Sequence, residues 1–159
     1  MILFLDYDGV LHPDQAYMTK SGVVLRCDGH NLFEHAELLA DLLCPYPHVK
    51  IVLSTSWVPQ LGFGAAKGWL PERLQAKVKG ATFHSQFEEK ILWQSYPRHG
   101  QIDTYVVRHH LTDWIAIDDD DEGWPDDKRH HLIHTNEWGG IGDRAAQDDL
   151  IAKIKEKTK

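Results

Sequence analysis

The sequence predicts an α/β fold: a three-layer α/β/α sandwich whose central sheet is mainly parallel. Short, continuously apolar segments alternate with segments of helical periodicity, which is typical of parallel strands covered by helices on both faces. The clearest apolar segments also end in acidic or hydroxyl side chains. In parallel sheets the functional crevice lies beyond the carboxyl ends of the strands, so these side chains mark the edge where a site is expected.

The predicted strands are short and apolar, and polar residues bound each of them. ILFL, IVL and WIAI are continuous apolar runs of the kind that form fully buried strands. HLIHT adds a fourth clear strand, and a weak one is expected between the second and third. In chain order, the predicted strands cover residues 2–6, 49–53, 81–84, 114–117 and 131–135.

Helices are predicted where apolar residues recur every three or four positions. The first begins at Asn31 and is stopped by the segment PYP, since proline cannot continue a helix. Residues 98–110 form a second helix, and an amphipathic helix from about Asp143 to Lys157 closes the chain. The glycine-rich segment 58–80 is predicted as loop with one short helix from Pro71, a residue that suits a first helical turn.

Residues 1–159 are predicted to form a single domain, because the chain has no repeat, low-complexity linker or composition break. Residues 12–30 contain a Ser-Gly turn between two β-prone pieces, so a small hairpin flap is expected there. Residues 57–97 are predicted as a short helical insertion. Neither segment is long enough for a large cap domain over the strand ends.

Composition narrows the classes of protein that the chain can represent. A formal net charge of −7 excludes a uniformly basic surface, so strong non-specific nucleic-acid binding is not expected. The N-terminal apolar run is short and has no basic flank, and two cysteines form no CxxC motif, so a cytoplasmic protein without signal peptide or membrane span is expected. A local basic patch remains open, formed by Arg26, Lys67, Arg73, Lys77 and Lys79.

Four aspartates follow two of the predicted strands and predict a metal site. Asp6 and Asp8 follow the first strand, and Asp118 and Asp119 follow WIAI. Carboxylates that converge in one crevice repel each other unless a cation neutralises them, and oxygen ligands favour a hard ion such as Mg²⁺. A carboxylate is also a competent nucleophile toward phosphorus, and a second one can transfer a proton to the leaving oxygen.

Three motifs, LDYDGVL, IVLSTSW and IAIDDDD, together resemble those of the haloacid dehalogenase-like (HAD) superfamily. Asp6 resembles its nucleophile and Asp8, two residues later, its acid/base aspartate. Ser54 resembles the hydroxyl of the second motif, and Asp118-Asp119 the acidic fourth motif. More narrowly, the chain resembles the small HAD domains associated with RNA repair systems.

The resemblance covers residue 2 to about residue 135 and implies a Rossmann-like fold, Mg²⁺, an aspartyl-phosphate intermediate and phosphatase activity. It implies that Asp6, the backbone carbonyl of Asp8 and Asp118 hold the metal. Asp119 is expected either to orient these ligands or to be a ligand itself.

The resemblance also implies a set of phosphate-binding residues, which includes Ser54 and Thr55. The lysine or arginine of the family's third motif has three candidates in this chain. Arg98, at the start of a predicted helix, is preferred to Lys90, and both are preferred to Lys77. An arginine would offer the phosphate a planar fork of donors, whereas a lysine offers a point charge.

A site without a cap stays open and implies a large phosphorylated substrate, and the RNA-repair resemblance points to a terminal phosphate of a nucleic acid. Two other functions remain open: a non-catalytic HAD-fold module that binds phosphate or metal, and a phosphotransferase. The presence of both Asp6 and Asp8 favours an enzyme.

His12 is expected at the mouth of the crevice, Trp138 is expected to be a packing residue, and Trp57 could either pack or rim the site.

Overall fold

A computed structural model describes residues 1–158 as a five-stranded parallel sheet between helical layers, with a separate two-stranded antiparallel hairpin. Its elements are β1 (Ile2–Leu5), β2 (Ala16–Thr19), β3 (Gly22–Leu25), α1 (Ala36–Leu43), β4 (Lys50–Leu53), α2 (Trp57–Leu61), α3 (Phe63–Gly68), α4 (Glu72–Gln75), β5 (Val78–Ala81), α5 (Lys90–Ser95), α6 (Arg98–Arg108), β6 (Trp114–Asp118), β7 (Leu132–His134) and α7 (Arg144–Lys157). The sheet order is β5-β4-β1-β6-β7, and β2 pairs with β3 in the hairpin. The predicted fold class is confirmed.

The central position of β1 determines where the polar residues meet. Leu5, the last residue of β1, lies opposite Leu53 of β4 and Ile117 of β6, and both pairings are parallel. The three strands therefore end at the same level, and the chain leaves all of them at one edge of the sheet. The first residues beyond these pairs are Asp6, Ser54 and Asp118.

The core has two parts because successive strand residues face opposite sides of the sheet. Leu3 and Leu5 of β1 lie in the larger cluster, which also contains the buried faces of α1 and α7. Phe4 faces the other side, where it packs against Ile102 of α6 and meets the ring of Trp114 edge to face at 5.7 Å. The side chains on both faces of β1 are fully buried from Leu3 to Leu5, so the strand is held firmly and so are the residues that follow it.

The structure differs from the prediction at the start of α1. The helix begins at Ala36, five residues after Asn31. Phe33 has a positive φ of 57°, a left-handed conformation that cannot continue a right-handed helix. The apolar pattern predicted the helix too early because Phe33 fits the helical spacing, but it lies in a turn and packs, partly buried, against the core.

The segment after β4 is also more helical than predicted. The structure has α2, α3 and α4 where one short helix from Pro71 was expected, and Pro71 itself lies outside α4 with an extended backbone. β5 covers residues 78–81 rather than 81–84. The glycines favoured a loop prediction, but Ala66 and Leu70 are buried and anchor this segment on the core.

None of the helices in residues 1–158 combines the length and apolar composition needed to cross a membrane.

His131 gives the fold a measurable dependence on pH. Its ring stacks on Trp114 with centroids 3.9 Å apart, and its Nδ1–H donates to the Trp114 carbonyl oxygen at 2.8 Å. Burial lowers the pKa of His131 from 6.5 to about 4, although that hydrogen bond opposes the shift. Protonation therefore favours the unfolded chain. The stabilisation from the neutral ring is complete above pH 6.5 and is lost as the pH falls from 6.5 to 4. The total loss in unfolding free energy is roughly 3 kcal/mol.

We expect the difference in unfolding free energy between wild type and His131→Asn to shrink on acidification from pH 7 to pH 4. Asparagine can still donate to the carbonyl but does not titrate, so the comparison isolates the histidine from other acidic groups. Chemical denaturation at several pH values measures the difference. A difference that is the same at every pH would contradict the assignment.

Candidate active site

Three carboxylates meet at the edge of the sheet where β1 and β6 end. Each of Asp6, Asp118 and Asp119 offers an oxygen atom, and these atoms all lie within 4.8 Å of one another. Asp6 and Asp118 are almost completely buried. Oδ1 of Asp6 and Oδ2 of Asp118 are buried and accept no hydrogen bond from residues 1–158. Carboxylate oxygens that accept no hydrogen bond can act as ligands of a hard divalent cation, so this set of oxygens fits Mg²⁺.

The carboxyl groups of this cluster are shifted toward the protonated form. Burial raises the pKa of Asp6 to about 6, and the nearby charge of Asp8 adds to this, while Arg98 opposes it. Burial and the charge of Asp6 raise the pKa of Asp118 well above its usual range. The pKa of Asp119 rises to about 7, mainly through burial and secondly through Asp6. A bound cation would relieve the mutual repulsion of these buried carboxylates.

Arg98 supplies the positive charge at this edge of the sheet. It is the first residue of α6, after Pro97. Its guanidinium donates to the Ser54 carbonyl oxygen at 2.8 Å and to Oδ2 of Asp6 at 3.4 Å. Nε lies 2.9 Å from Oδ2 of Asp118, without the alignment of a hydrogen bond. Burial alone would lower the pKa of Arg98, but the two carboxylates raise it, so the side chain stays charged.

The structure brings Arg98, and not Lys90, to the carboxylates. Lys90 is exposed at the start of α5, and no ion pair joins it to the cluster within residues 1–158. Lys77 is also elsewhere, since its ammonium donates to the Tyr46 carbonyl oxygen at 3.1 Å. Spacing alone could not separate these candidates. Pro97 directly precedes α6, so the helix begins at Arg98, whose side chain faces the ends of the strands.

The hydroxyl residues after β4 are buried beside the same edge. Ser54 and Thr55 are each about 1% exposed, and the Ser54 hydroxyl has no hydrogen-bond partner in the described residues. Thr55 Oγ1 accepts a long hydrogen bond of 3.4 Å from the Trp57 backbone N–H. The free donor of Ser54 leaves it available to a phosphate oxygen.

The carboxylate of Asp8 is outside the cluster and is held separately. Its Oδ1 lies 2.9 Å from Nε2 of His12, and its Oδ2 accepts a hydrogen bond of 2.9 Å from the indole Nε1–H of Trp57. His12 was predicted at the crevice mouth, but it is 1% exposed. Trp57 is also buried. The sequence contained one signal for the first contact, the spacing of four residues between Asp8 and His12.

Gly9 is required by the loop that carries the two aspartates. Its φ is +72°, and a Cβ at this position would overlap the carboxyl group of Asp119. We expect Gly9→Ala to destabilise the protein by at least about 2 kcal/mol, because strain and overlap add. Gly29→Ala is the matched control: its φ is +80°, but no atom lies within 4 Å of the added carbon. It should lose only about 1 kcal/mol. Equal losses in chemical denaturation would show that the contact with Asp119 is unimportant.

Two cavities border the site. A cavity of about 540 Å³ lies beside Arg98, and a narrow cleft of about 70 Å³ separates Asp8 and α2 from the β2–β3 hairpin. Tyr17 and Met18 of the hairpin are nearly half exposed. Trp138, predicted to be a packing residue, is 51% exposed, so that prediction is wrong. Its loop after β7 turns the ring outward.

Comparison with known proteins gives one match. The model of a family described as "HAD domain in Swiss Army Knife RNA repair proteins" matches residues 2–146, which includes every residue of the site described above. No curated protein and no solved structure matches the chain.

Proposed function

From the premise that the chain belongs to the family of HAD domains in Swiss Army Knife RNA repair proteins, we propose that it is a Mg²⁺-dependent phosphomonoesterase. Family membership supports a HAD-fold hydrolase in general terms, and the family generally uses Mg²⁺. The observation that carries the finer proposal is the convergence of Asp6, Asp118 and Arg98, with Asp8 held beside them.

In the first step, a carboxylate oxygen of Asp6 attacks phosphorus. A bond forms between Asp6 and phosphorus while the bond from phosphorus to the leaving oxygen breaks, and Asp8 gives that oxygen a proton. Arg98 and the Ser54 hydroxyl bind the other phosphate oxygens, where negative charge spreads as the reaction proceeds. The free Ser54 donor supports this role.

In the second step, water replaces Asp6 on phosphorus. Asp8, now a carboxylate, takes a proton from the water as it attacks, and the bond between Asp6 and phosphorus breaks. Inorganic phosphate leaves, and both aspartates return to their starting states.

Asp6, Asp118 and the backbone carbonyl of Asp8 would hold Mg²⁺, with Asp119 as a further ligand or an orienting neighbour. When bound, the ion neutralises the carboxylates and the phosphate, so that an anionic nucleophile can approach an anionic substrate. The buried carboxylate oxygens without hydrogen bonds support this assignment.

The proposed substrate is a terminal phosphate on a nucleic acid. The open edge of the site supports a large substrate, and so does the description of the family. One member of the possible basic patch, Arg73, is neutralised by Glu37 and Asp41. The net charge of −7 therefore favours recognition of an end over binding along a strand.

The proposal is tested by measuring hydrolysis of para-nitrophenyl phosphate with Mg²⁺ and with excess chelator. Oligonucleotides that carry a 3′- or a 5′-phosphate then test the substrate class. We expect turnover that requires Mg²⁺ and a preference for one kind of oligonucleotide end. Binding of Mg²⁺ or phosphate without turnover over this panel would favour a non-catalytic module.

A further inference from the structure

The carboxylate of Asp8 is held by two donors that the proposed mechanism does not use. His12 contacts one oxygen and Trp57 the other, each at 2.9 Å. Both donors come from side chains that are less than 5% exposed. A carboxylate with a fixed donor on each oxygen has little freedom to rotate, so its plane is set by the protein.

The neighbours of His12 determine which ring nitrogen carries the proton. The backbone N–H of Phe33 donates to Nδ1 of His12 at 3.1 Å, and a backbone N–H can only donate. Nδ1 must therefore be the acceptor. In the neutral ring the proton is then on Nε2, where it points at Asp8. Both ring nitrogens of His12 have hydrogen-bond partners, and the residue is 1% exposed.

Phe33 holds this arrangement in a conformation that bulky side chains rarely adopt. Its φ of 57° is unfavourable by about 1 kcal/mol or more. Its ring packs at 4.9 Å from both His12 and Tyr7 and stacks on Trp69 at 5.5 Å. These contacts keep the strained residue in place, so its amide stays aimed at His12.

We propose that His12 and Trp57 are positioning residues: together they form a clamp that aims Asp8 at the leaving oxygen. This inference rests on the proposed function and adds residues that act on it through Asp8. His12 acts as a neutral donor and does not itself take the proton of the reaction, because Nδ1 is occupied by the Phe33 amide. Trp57 can only donate, so it fixes the second oxygen without accepting a proton.

The clamp is tested by a pair of substrates with different leaving groups. An alkyl phosphate needs a proton from Asp8 as its bond to phosphorus breaks, whereas para-nitrophenolate leaves without one. A displaced Asp8 should therefore lower kcat/KM for the alkyl ester by about 10²-fold and for the aryl ester far less. The ratio of the two kcat/KM values is the readout, since a general loss of structure lowers both.

Trp57→Phe is the first variant, because it removes the indole donor and keeps an aromatic ring. His12→Phe removes the other donor, and His12→Gln can restore it, since its amide can accept from Phe33 and donate to Asp8. We expect the ratio to fall in Trp57→Phe and His12→Phe and to recover in part in His12→Gln. Trp69→Phe is the matched control, because Trp69 lies in the same aromatic cluster and does not bond to Asp8. Its ratio should equal that of wild type.

Proton–nitrogen correlation spectra of the His12 ring give a readout that does not depend on turnover. We expect the neutral form with its proton on Nε2. A proton on Nδ1, or a ratio that Trp57→Phe leaves unchanged in an active enzyme, would contradict the clamp alone. A wild-type protein that hydrolyses neither ester would contradict the proposed function and the clamp with it.

Discussion

Asp6→Asn should abolish phosphatase turnover, with a loss of about 10⁴-fold or more in kcat, while the protein remains folded. The amide cannot attack phosphorus, and no other carboxylate in the cluster is placed at the end of the central strand. Stability should stay the same or rise, because the variant removes a buried charge beside Asp118. Arg98 keeps Asp118 as a partner. The measurements are steady-state hydrolysis of para-nitrophenyl phosphate and chemical denaturation.

The same change at Asp121 provides the control for Asp6→Asn. Asp121 belongs to the acidic run that begins at Asp118, but it pairs with Arg129 at the surface, 2.9 Å away. Asp121→Asn should keep wild-type turnover. Activity that survives Asp6→Asn would remove Asp6 from the role of nucleophile, and loss of activity in both variants would point to a general effect of charge.

Arg98→Met should destabilise the protein by about 3 kcal/mol and lower kcat/KM by about 10²-fold or more. Removal of the guanidinium leaves Asp6 and Asp118 buried with no neighbouring cation, and the Ser54 carbonyl loses its donor. Addition of Mg²⁺ should recover part of the stability, and more than it adds to wild type, since it would bind carboxylates that Arg98 no longer neutralises. Chemical denaturation with and without Mg²⁺ measures this.

One further variant separates charge from shape at this position, and another provides a surface control. Arg98→Lys keeps the charge but offers a single point donor, so it should recover more stability than activity. Arg144→Met removes an arginine that pairs with Asp148 at the surface and should change stability little. An Arg98→Met variant as stable as wild type would mean that the guanidinium is not what neutralises the two carboxylates.

The meeting of polar residues at one edge of the sheet could be predicted from the sequence, because each strand and the residue that follows it form one local pattern. Three apolar runs end in Asp6, Ser54 and Asp118, and parallel strands place such residues together whatever the connecting segments do. The carboxylates do meet, within 4.8 Å. Arg98 is preferred to Lys90 for its place at the start of a predicted helix before Asp118, but position could not decide between them, since the contact of Arg98 with the strand ends depends on the packing of α6.

The spacing of Asp8 and His12 signalled their contact, but the support of His12 could not be predicted, because it depends on the conformation of Phe33. Phe33 fits the helical spacing of its neighbours, so the pattern predicts a helix there. In the structure it leaves the helical region, packs among aromatic rings and donates its amide to His12. The late start of α1 and the burial of His12 thus have a common cause, which lies in tertiary contacts and not in local propensity.

Identification of the phosphorylated residue tests whether Asp6 is the nucleophile. The Asp8→Asn variant, mixed with para-nitrophenyl phosphate and Mg²⁺, should form the phosphoenzyme and lose it slowly, because the water in the second step lacks its base. Quenching in acid, reduction with borohydride and peptide mass spectrometry then locate the modified side chain. We predict reduction at Asp6 alone. An unmodified Asp6 during turnover, or a phosphoryl group on another residue, would contradict the account.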